Sequence, residues 1–157
     1  MTHATDETVK QQLLDLIQQH EMAPFYRLVC DTFQWPINAT LEAAMSDKNA
    51  QELAQLNDRL ADAEQNLGDI EVLEALLAKA RLFSRIGDKD KALEAFEVAS
   101  EKPQSINQKI LVTLHVIRIG LFFSDLELVE KNIKKATVYV DKLVFWLGYL
   151  CGIRYKI

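Results

Sequence analysis

The sequence has few of the residues that break regular backbone structure, with five glycines and three prolines among 157 residues. Hairpins and meanders need such residues in their tight turns. The composition therefore argues against an all-β fold. Apolar residues make up 49% of the chain and charged residues 26%, which is typical of a globular domain with a substantial core.

Cysteine is also scarce, and acidic residues outnumber basic ones. Cys30 and Cys151 are isolated thiols, which we interpret as buried structural residues of a protein from a reducing compartment. Asp and Glu outnumber Lys and Arg by 23 to 18, and a net charge of −5 opposes the phosphate neutralisation on which nucleic-acid binding depends. The N-terminus shows no pattern of a signal peptide. We expect no nucleic-acid partner.

The first 70 residues predict three helices. Apolar residues at helical spacing indicate a helix over Asp6–His20, and a second begins near Pro24 and ends before Trp35-Pro36. A long polar helix follows over Leu41–Leu67, where Gly68 is predicted to form a left-handed C-terminal cap. Its leucine spacing resembles a coiled coil, but it is too short for one, so packing on neighbouring helices is favoured.

A helix pair is predicted over Glu71–Ser100. Gly87 can take the positive φ that ends its first helix, and Asp88 can cap the second. Ala92 and Phe96 stand one turn apart, the small-then-aromatic spacing of tetratricopeptide-type repeats.

A second, degenerate pair is predicted 37 residues later, with helices over Ile110–Phe123 and Leu126–Ala136. The shift superimposes four pairs of residues: Asp88 on Asp125, Ala92 on Val129, Phe96 on Ile133 and Ala99 on Ala136. The predicted fold class is therefore all-α, with antiparallel helix pairs stacked as a short TPR-like right-handed array.

The last residues change character. Leu143–Ile153 is an uncharged run of eleven residues, too short for a membrane helix, which needs about 20. We expect a buried segment that departs from the repeat pattern. The predicted division is residues 1–70 with the long polar helix, 71–136 with two helix pairs, and 137–157 as a divergent apolar tail.

Several blocks resemble the PCI family of proteasome lid subunits, in the same order and at similar separations. They are Met22–Tyr26, Trp35–Ile37, Leu60–Gly68, Arg85–Lys89 and Ile117–Phe122. The resemblance implies a helical-repeat arm that precedes a winged-helix PCI module in the family, and we expect this chain to end before that module. After Ala136 the resemblance fades, and the apolar tail is a hypothetical substitute cap for the array.

The resemblance implies a non-catalytic structural subunit, or a truncated form of one, acting in ubiquitin-dependent degradation in the cytoplasm and nucleus. Its partners would be other lid and base subunits of the proteasome, without nucleic acid, membrane or small-molecule ligand. Two alternatives stay open: a stand-alone TPR-like peptide-binding adaptor, and the COP9 signalosome paralogue within the family.

No residue pattern predicts a catalytic, cofactor-binding or metal site. His3, His20 and His115 lie in separate segments without ligand spacing, and no glycine-rich phosphate loop occurs. The remaining candidates favour structural roles. These are the carboxylate pairs Asp58/Asp62 and Glu97/Glu101 on polar faces, the hydroxyls of Ser84, Ser100 and Ser124, and His115 as a hydrogen-bonded interface residue.

The candidate functional features are surfaces, since helical arrays present extended faces to protein partners. We consider three: the polar side of Asp47–Leu67, the cluster of Lys131, Lys134 and Lys135, and Trp35 as a possible interface anchor. A solvated face, or local packing for Trp35, is the alternative in each case.

Overall fold

The computed structural model describes the backbone of residues 2–150 and the side chains of residues 7–145. Its described part contains seven helices and no strand, which confirms the all-α class. The helices are α1 (Thr2–Gln19), α2 (Ala23–Phe33), α3 (Ala39–Asn66), α4 (Asp69–Ile86), α5 (Lys89–Ser100), α6 (Ile106–Phe122) and α7 (Leu126–Leu150). The TPR-like right-handed stacking stays a prediction.

The chain divides into two compact units, unit 1 over Met1–Ala95 and unit 2 over Phe96–Ile157. The predicted three-part division of the sequence stays a prediction. Within the described residues, no helix combines the length and the apolarity that a bilayer crossing requires.

In unit 1, α1, α2 and α3 enclose an apolar core. Proline in the first turn of α2 suits a helix start, because the missing amide hydrogen has no partner there anyway. The backbone amide of Asn38 donates to the Tyr26 hydroxyl at 3.0 Å, and the Asn38 side chain caps α3. Burial raises the pKa of Tyr26, so the phenol stays neutral. The buried core residues are Ile17, Ala23, Tyr26, Val29, Cys30 and Met45.

The connection between α3 and α4 corrects the prediction for Gly68. This glycine has φ −104° and ψ 178°, an extended conformation, and it precedes the first residue of α4. Its amide donates to Glu71 Oε2 at 3.2 Å. Because α4 begins at once, the chain reverses through extended residues Leu67 and Gly68, and no left-handed C-terminal cap forms.

The turn between α4 and α5 forms as predicted. Gly87 has φ +76°, and its amide bonds to the carbonyl of Phe83. A Cβ at Gly87 would lie 2.6 Å from Cβ of Phe25, so only glycine fits. Asp88 Oδ1 accepts the amide of Lys91 at 3.2 Å, which caps α5.

Unit 2 contains the antiparallel contact of α6 with α7. Ser105 caps α6 through the amide of Gln108, and Asp125 Oδ1 caps α7 by accepting the amide of Leu128 at 2.9 Å. A Cβ at Gly120 would lie 2.7 Å from Cγ2 of Val129. The absence of that Cβ lets the two helices approach closely.

Two expectations for the second pair are wrong in detail. Helix α7 does not end at Ala136 but continues to Leu150, because no glycine or proline interrupts residues 126–147. Ile133, aligned with the fully buried Phe96, is 49% exposed, whereas the neighbouring Asn132 is buried. At the start of the run that was predicted to be buried, Val144 and Phe145 are 50% and 71% exposed. The side chains of residues 146–157, and with them the capping role proposed for the tail, lie outside the described residues.

Candidate interaction surfaces

The residues considered for chemistry occupy structural or solvent-exposed positions. Asp58, Asp62, Glu97 and Glu101 are exposed on their helices. Among the side chains that the structure describes, no group of three or more His, Cys, Asp or Glu residues is placed to hold a metal ion.

Two of the serines and one of the thiols have local structural surroundings. The hydroxyls of Ser84 and Ser100 donate to backbone carbonyls one turn earlier, at 2.9 and 2.8 Å. Cys30 is a buried free thiol in the unit 1 core, while Cys151 lies outside the described residues. Ser124 lies in the turn between α6 and α7.

The histidines are separated in the fold. His115, on α6, stacks on the Phe96 ring with a centroid separation of 5.5 Å, within unit 2. His20 is exposed at the end of α1, and the side chain of His3 lies outside the described part. A packing role fits His115 better than ligand binding.

The polar side of α3 is partly used inside unit 1. Glu52 pairs with Arg85 of α4 at 2.5 Å, and Lys48 pairs with Glu21 at 2.5 Å. A longer contact of 3.9 Å joins Arg59 to Glu74. Such part-exposed pairs contribute only about 0–1 kcal/mol each, but they hold long side chains against the neighbouring helices. The predicted contact face is therefore smaller than the sequence suggests.

The lysine cluster on α7 is the more open of the predicted surfaces. Lys134 pairs with Glu130 at 2.8 Å, whereas Lys131 and Lys135 are exposed and form no ion pair among the described residues. Their ammonium groups are available to an acidic partner surface.

Trp35 is part of an aromatic patch and is not an isolated interface anchor. Its ring stacks on Phe33 with centroids 5.1 Å apart, and Lys10 Nζ lies 5.0 Å from the ring centroid. Phe33 is 57% exposed. The indole is thus packed locally, while Phe33 presents the apolar surface.

The sequence did not predict a groove in unit 1. A groove of about 430 Å³ lies between α2, α3, the C-terminal part of α4 and the start of α5. We call it the α3 groove. Its lining residues are Ala23, Pro24, Arg27, Glu42, Ser46, Asn49, Ala50, Leu53, Leu82, Phe83, Ile86, Asp88 and Lys91.

Two ion pairs border the α3 groove, Arg27 with Glu42 and Lys91 with Asp88. In each pair the carboxylate side chain is the less exposed partner, at 16% and 17%, while the cations are 66% and 61% exposed. The spacing of Glu42 and Asn49 on one helix face was visible in the sequence. The partner elements were not, because α2 and the turn after α4 approach α3 only in the folded chain.

Unit 2 carries its own exposed apolar side chains. On α6 they are Leu111, Leu114, Leu121 and Phe122, and on α7 Leu126, Ile133, Val138, Val140, Val144 and Phe145. Singly exposed apolar residues are ordinary, but rows at helical spacing on two adjacent helices are typical of faces that other elements cover.

The family model described as 26S proteasome subunit RPN7 matches residues 39–146, from the first residue of α3 into α7. This match spans more than half of the chain.

Curated relatives agree with the family match. The chain is 39% identical over 145 residues to the 26S proteasome non-ATPase regulatory subunit 6 of Caenorhabditis elegans, which covers 90% of the chain and 35% of the relative. It is 40% identical over 128 residues to the Arabidopsis thaliana homologue, covering 82% of the chain and 33% of the relative. The Saccharomyces cerevisiae regulatory subunit RPN7 is 24% identical over 155 residues, with 85% of the chain and 36% of the relative covered. The chain thus spans about a third of the length of these relatives.

Proposed function

Since the chain belongs to the family of 26S proteasome subunit RPN7, we propose that it is a non-catalytic structural part of the lid of the regulatory particle. It would act in ubiquitin-dependent protein degradation through contacts with other lid and base subunits. The observation that carries the proposal is the continuous family match over residues 39–146, which includes five of the seven described helices in whole or in part.

Two further observations support the proposal. The relatives are named as regulatory subunits, several of them as non-ATPase subunits. The described surface offers exposed apolar rows in unit 2 and an open lysine cluster, which suit contacts with proteins. We also propose a cytoplasmic and nuclear location, in keeping with the isolated thiols and the proteasomal relatives.

A chimera tests the proposal in a protein of the full length of the relatives, of which this chain covers about a third. The region of the Caenorhabditis subunit that aligns with this chain is replaced by the chain itself, and the tagged chimera is expressed in cells depleted of the endogenous subunit. We expect the chimera to co-sediment with megadalton proteasome particles and to restore degradation of a ubiquitinated reporter. The unaltered Caenorhabditis subunit serves as the positive control.

A chimera that is helical and stable but stays in light fractions would overturn the assembly role, because the same background assembles with its own sequence. A second variant locates one contact. Reversing Lys131 and Lys135 together to glutamate should reduce co-sedimentation if the lysine cluster faces an acidic partner. Reversing the exposed residues Lys109 and Arg118 of α6 together to glutamate makes the same change in net charge outside the cluster and serves as the control.

A further inference from the structure

Helix α7 carries an exposed stripe of basic and apolar side chains. Its members follow each other at spacings of four, three, four and three residues, so they share one face of the helix: Lys131, Lys135, Val138, Lys142 and Phe145. All five side chains are exposed, with Val138 at 50% and Phe145 at 71%. We call this set the α7 stripe. It spans about 21 Å along the helix axis.

The α7 stripe is separate from the face that α7 packs on α6. Val129 and Asn132 are buried on that face, which continues with the half-buried residues Ala136, Tyr139 and Leu143. From Lys131 to Lys142, every residue of the stripe directly precedes a residue of the buried face. Successive helical residues are about 100° apart around the axis, so the stripe lies beside the α6 contact and is open to another protein.

The lysines of the α7 stripe have no anionic partner. Lys131, Lys135 and Lys142 form no ion pair with any side chain that the structure describes. Lys134, at the edge of the stripe, is paired with Glu130 at 2.8 Å. Like charges one turn apart on a helix repel each other, so carboxylates supplied by a partner would be favourable.

The acidic residues of the region do not neutralise the stripe. Glu127 lies in the first turn of α7, where the helix dipole favours a carboxylate. Asp141 is exposed on a different side of the helix from its neighbour Lys142. Helix α6 contains no Asp or Glu. Residues 106–145 contain six Lys or Arg and four Asp or Glu, so this region is positive in a chain whose net charge is −5.

We propose that the α7 stripe binds an acidic amphipathic helix of another protein. Helices pack along one another when their contact residues recur at alternating spacings of three and four. A matching partner places three Asp or Glu opposite the lysines and two apolar residues opposite Val138 and Phe145. The apolar contacts exclude water, and the carboxylates select the partner and its register.

The charge pattern favours this occupant over a second copy of the chain and over nucleic acid. Two copies packed stripe to stripe would bring lysines opposite lysines in either direction. Phosphates would leave Val138 and Phe145 uncovered, whereas an amphipathic helix covers them. The inference rests on the proposed function only for the source of the helix, which would be a neighbouring subunit. Binding itself is a property of this chain alone.

Peptide titration of the isotope-labelled full chain tests the inference. The probes are two end-blocked helical peptides, AEAAQEAALAQAEAALAQ and its reverse QALAAEAQALAAEQAAEA, which present three Glu and two Leu at matching spacings in the two chain directions. We expect one of them to shift the amide resonances of Lys135, Val138 and Lys142 in a saturable manner. Replacing its glutamates by glutamine should weaken binding about five- to thirtyfold, as expected for three part-exposed ion pairs. About 0.5 M NaCl should reduce that difference.

Matched double variants test the contribution of charge. Lys135→Gln combined with Lys142→Gln should remove most of the preference for the glutamate peptide over the glutamine peptide. Lys109→Gln combined with Arg118→Gln removes the same charge from exposed positions of α6 and should preserve the preference. Circular dichroism verifies that each variant remains helical.

Matched single variants test the apolar contact. Phe145→Ser should weaken binding of the glutamate and glutamine peptides alike. Leu111→Ser changes another exposed apolar residue, 58% exposed on α6, and should leave both affinities unchanged.

Four results would overturn the inference. They are no saturable shift with either peptide, equal effects of the two double variants, tighter binding of an oligothymidylate of about 20 nucleotides at the same resonances, or self-association of the chain that Phe145→Ser abolishes in sedimentation equilibrium. None of these touches the assembly role, which the chimera tests separately. Peptide binding by a chain whose chimera fails to assemble would retain the stripe and discard the lid role.

Discussion

The turns α4–α5 and α6–α7 share one long backbone hydrogen bond and a capping aspartate, but they contain different residues. In the first, the amide of Asp88 bonds to the carbonyl of Phe83 at 3.0 Å, and in the second, the amide of Asp125 bonds to that of Gly120 at 2.8 Å. Both pairs lie 37 residues apart, and both aspartates cap the helix that follows.

The two turns differ in the residue that has a positive φ. Gly87 has φ +76° and no room for a Cβ, whereas Ser124 has φ +56° and is exposed. A side chain in this region is strained by about 1–2 kcal/mol. The capping aspartate is therefore the residue that both turns share. Close packing on Phe25 makes glycine necessary only in the first.

The largest difference in stability should appear at the aligned residues Phe96 and Ile133. Phe96 is 1% exposed and stacks on His115, so Phe96→Ala should lower the free energy of unfolding by about 3–5 kcal/mol. Ile133→Ala, at the aligned position, should cost no more than about 0.5–1 kcal/mol because Ile133 is half exposed. Urea denaturation followed by circular dichroism measures both. Similar losses would show that Ile133 is a true equivalent of the phenylalanine.

The difference between Phe96 and Ile133 separates features that the sequence predicts from features that depend on tertiary packing. Helical periodicity predicted all seven helices, and Gly87-Asp88 predicted its turn, because these depend on neighbours within one or two turns. Gly68 was misread because glycine permits several conformations, and the start of α4 selects among them. The exposed Ile133 and the buried Asn132 depend on how α7 rotates against α6, which spacing alone does not fix.

The α3 groove also depends on tertiary contacts that the sequence does not specify. The residues from Glu42 to Leu53 are visible in the sequence as part of a long polar helix, but their spacing alone does not show which of them are buried. Their burial comes from α2 and the turn at Gly87, which approach α3 from distant parts of the chain. Asn49 therefore could not be distinguished from any other asparagine.

The turn glycine gives the next largest effect. Gly87→Ala combines a strained φ with an overlap at Phe25, so we expect a loss of about 2–4 kcal/mol in thermal or urea unfolding. Gly68→Ala is the matched control. Its φ is negative and its nearest neighbour is the flexible end of Glu71, so the loss should stay below about 1 kcal/mol. Equal losses would contradict the special role of Gly87.

The capping aspartates should respond alike. Asp88→Ala and Asp125→Ala each remove a side-chain acceptor from a helix start, and each should cost about 1 kcal/mol. Asp58→Ala, at an exposed position inside α3, should be nearly neutral or slightly stabilising. Denaturation midpoints of the three variants test the equivalence of the two turns. If Asp125→Ala leaves the denaturation midpoint unchanged, the aspartate cap stabilises only the first turn.

The smallest effect should have the opposite sign. Ser124→Gly relieves a left-handed conformation at an exposed position where the backbone path is already fixed by Asp125 and Gly120. We expect a gain of about 0.5–1 kcal/mol, since glycine's greater freedom in the unfolded chain offsets part of the relieved strain. Ser46→Gly inside α3 should instead lose about 0.5–1 kcal/mol. If Ser124→Gly also destabilises the chain, the serine side chain makes a favourable contribution of its own. In that case Ser124 would not be a strained replacement for glycine in the second turn.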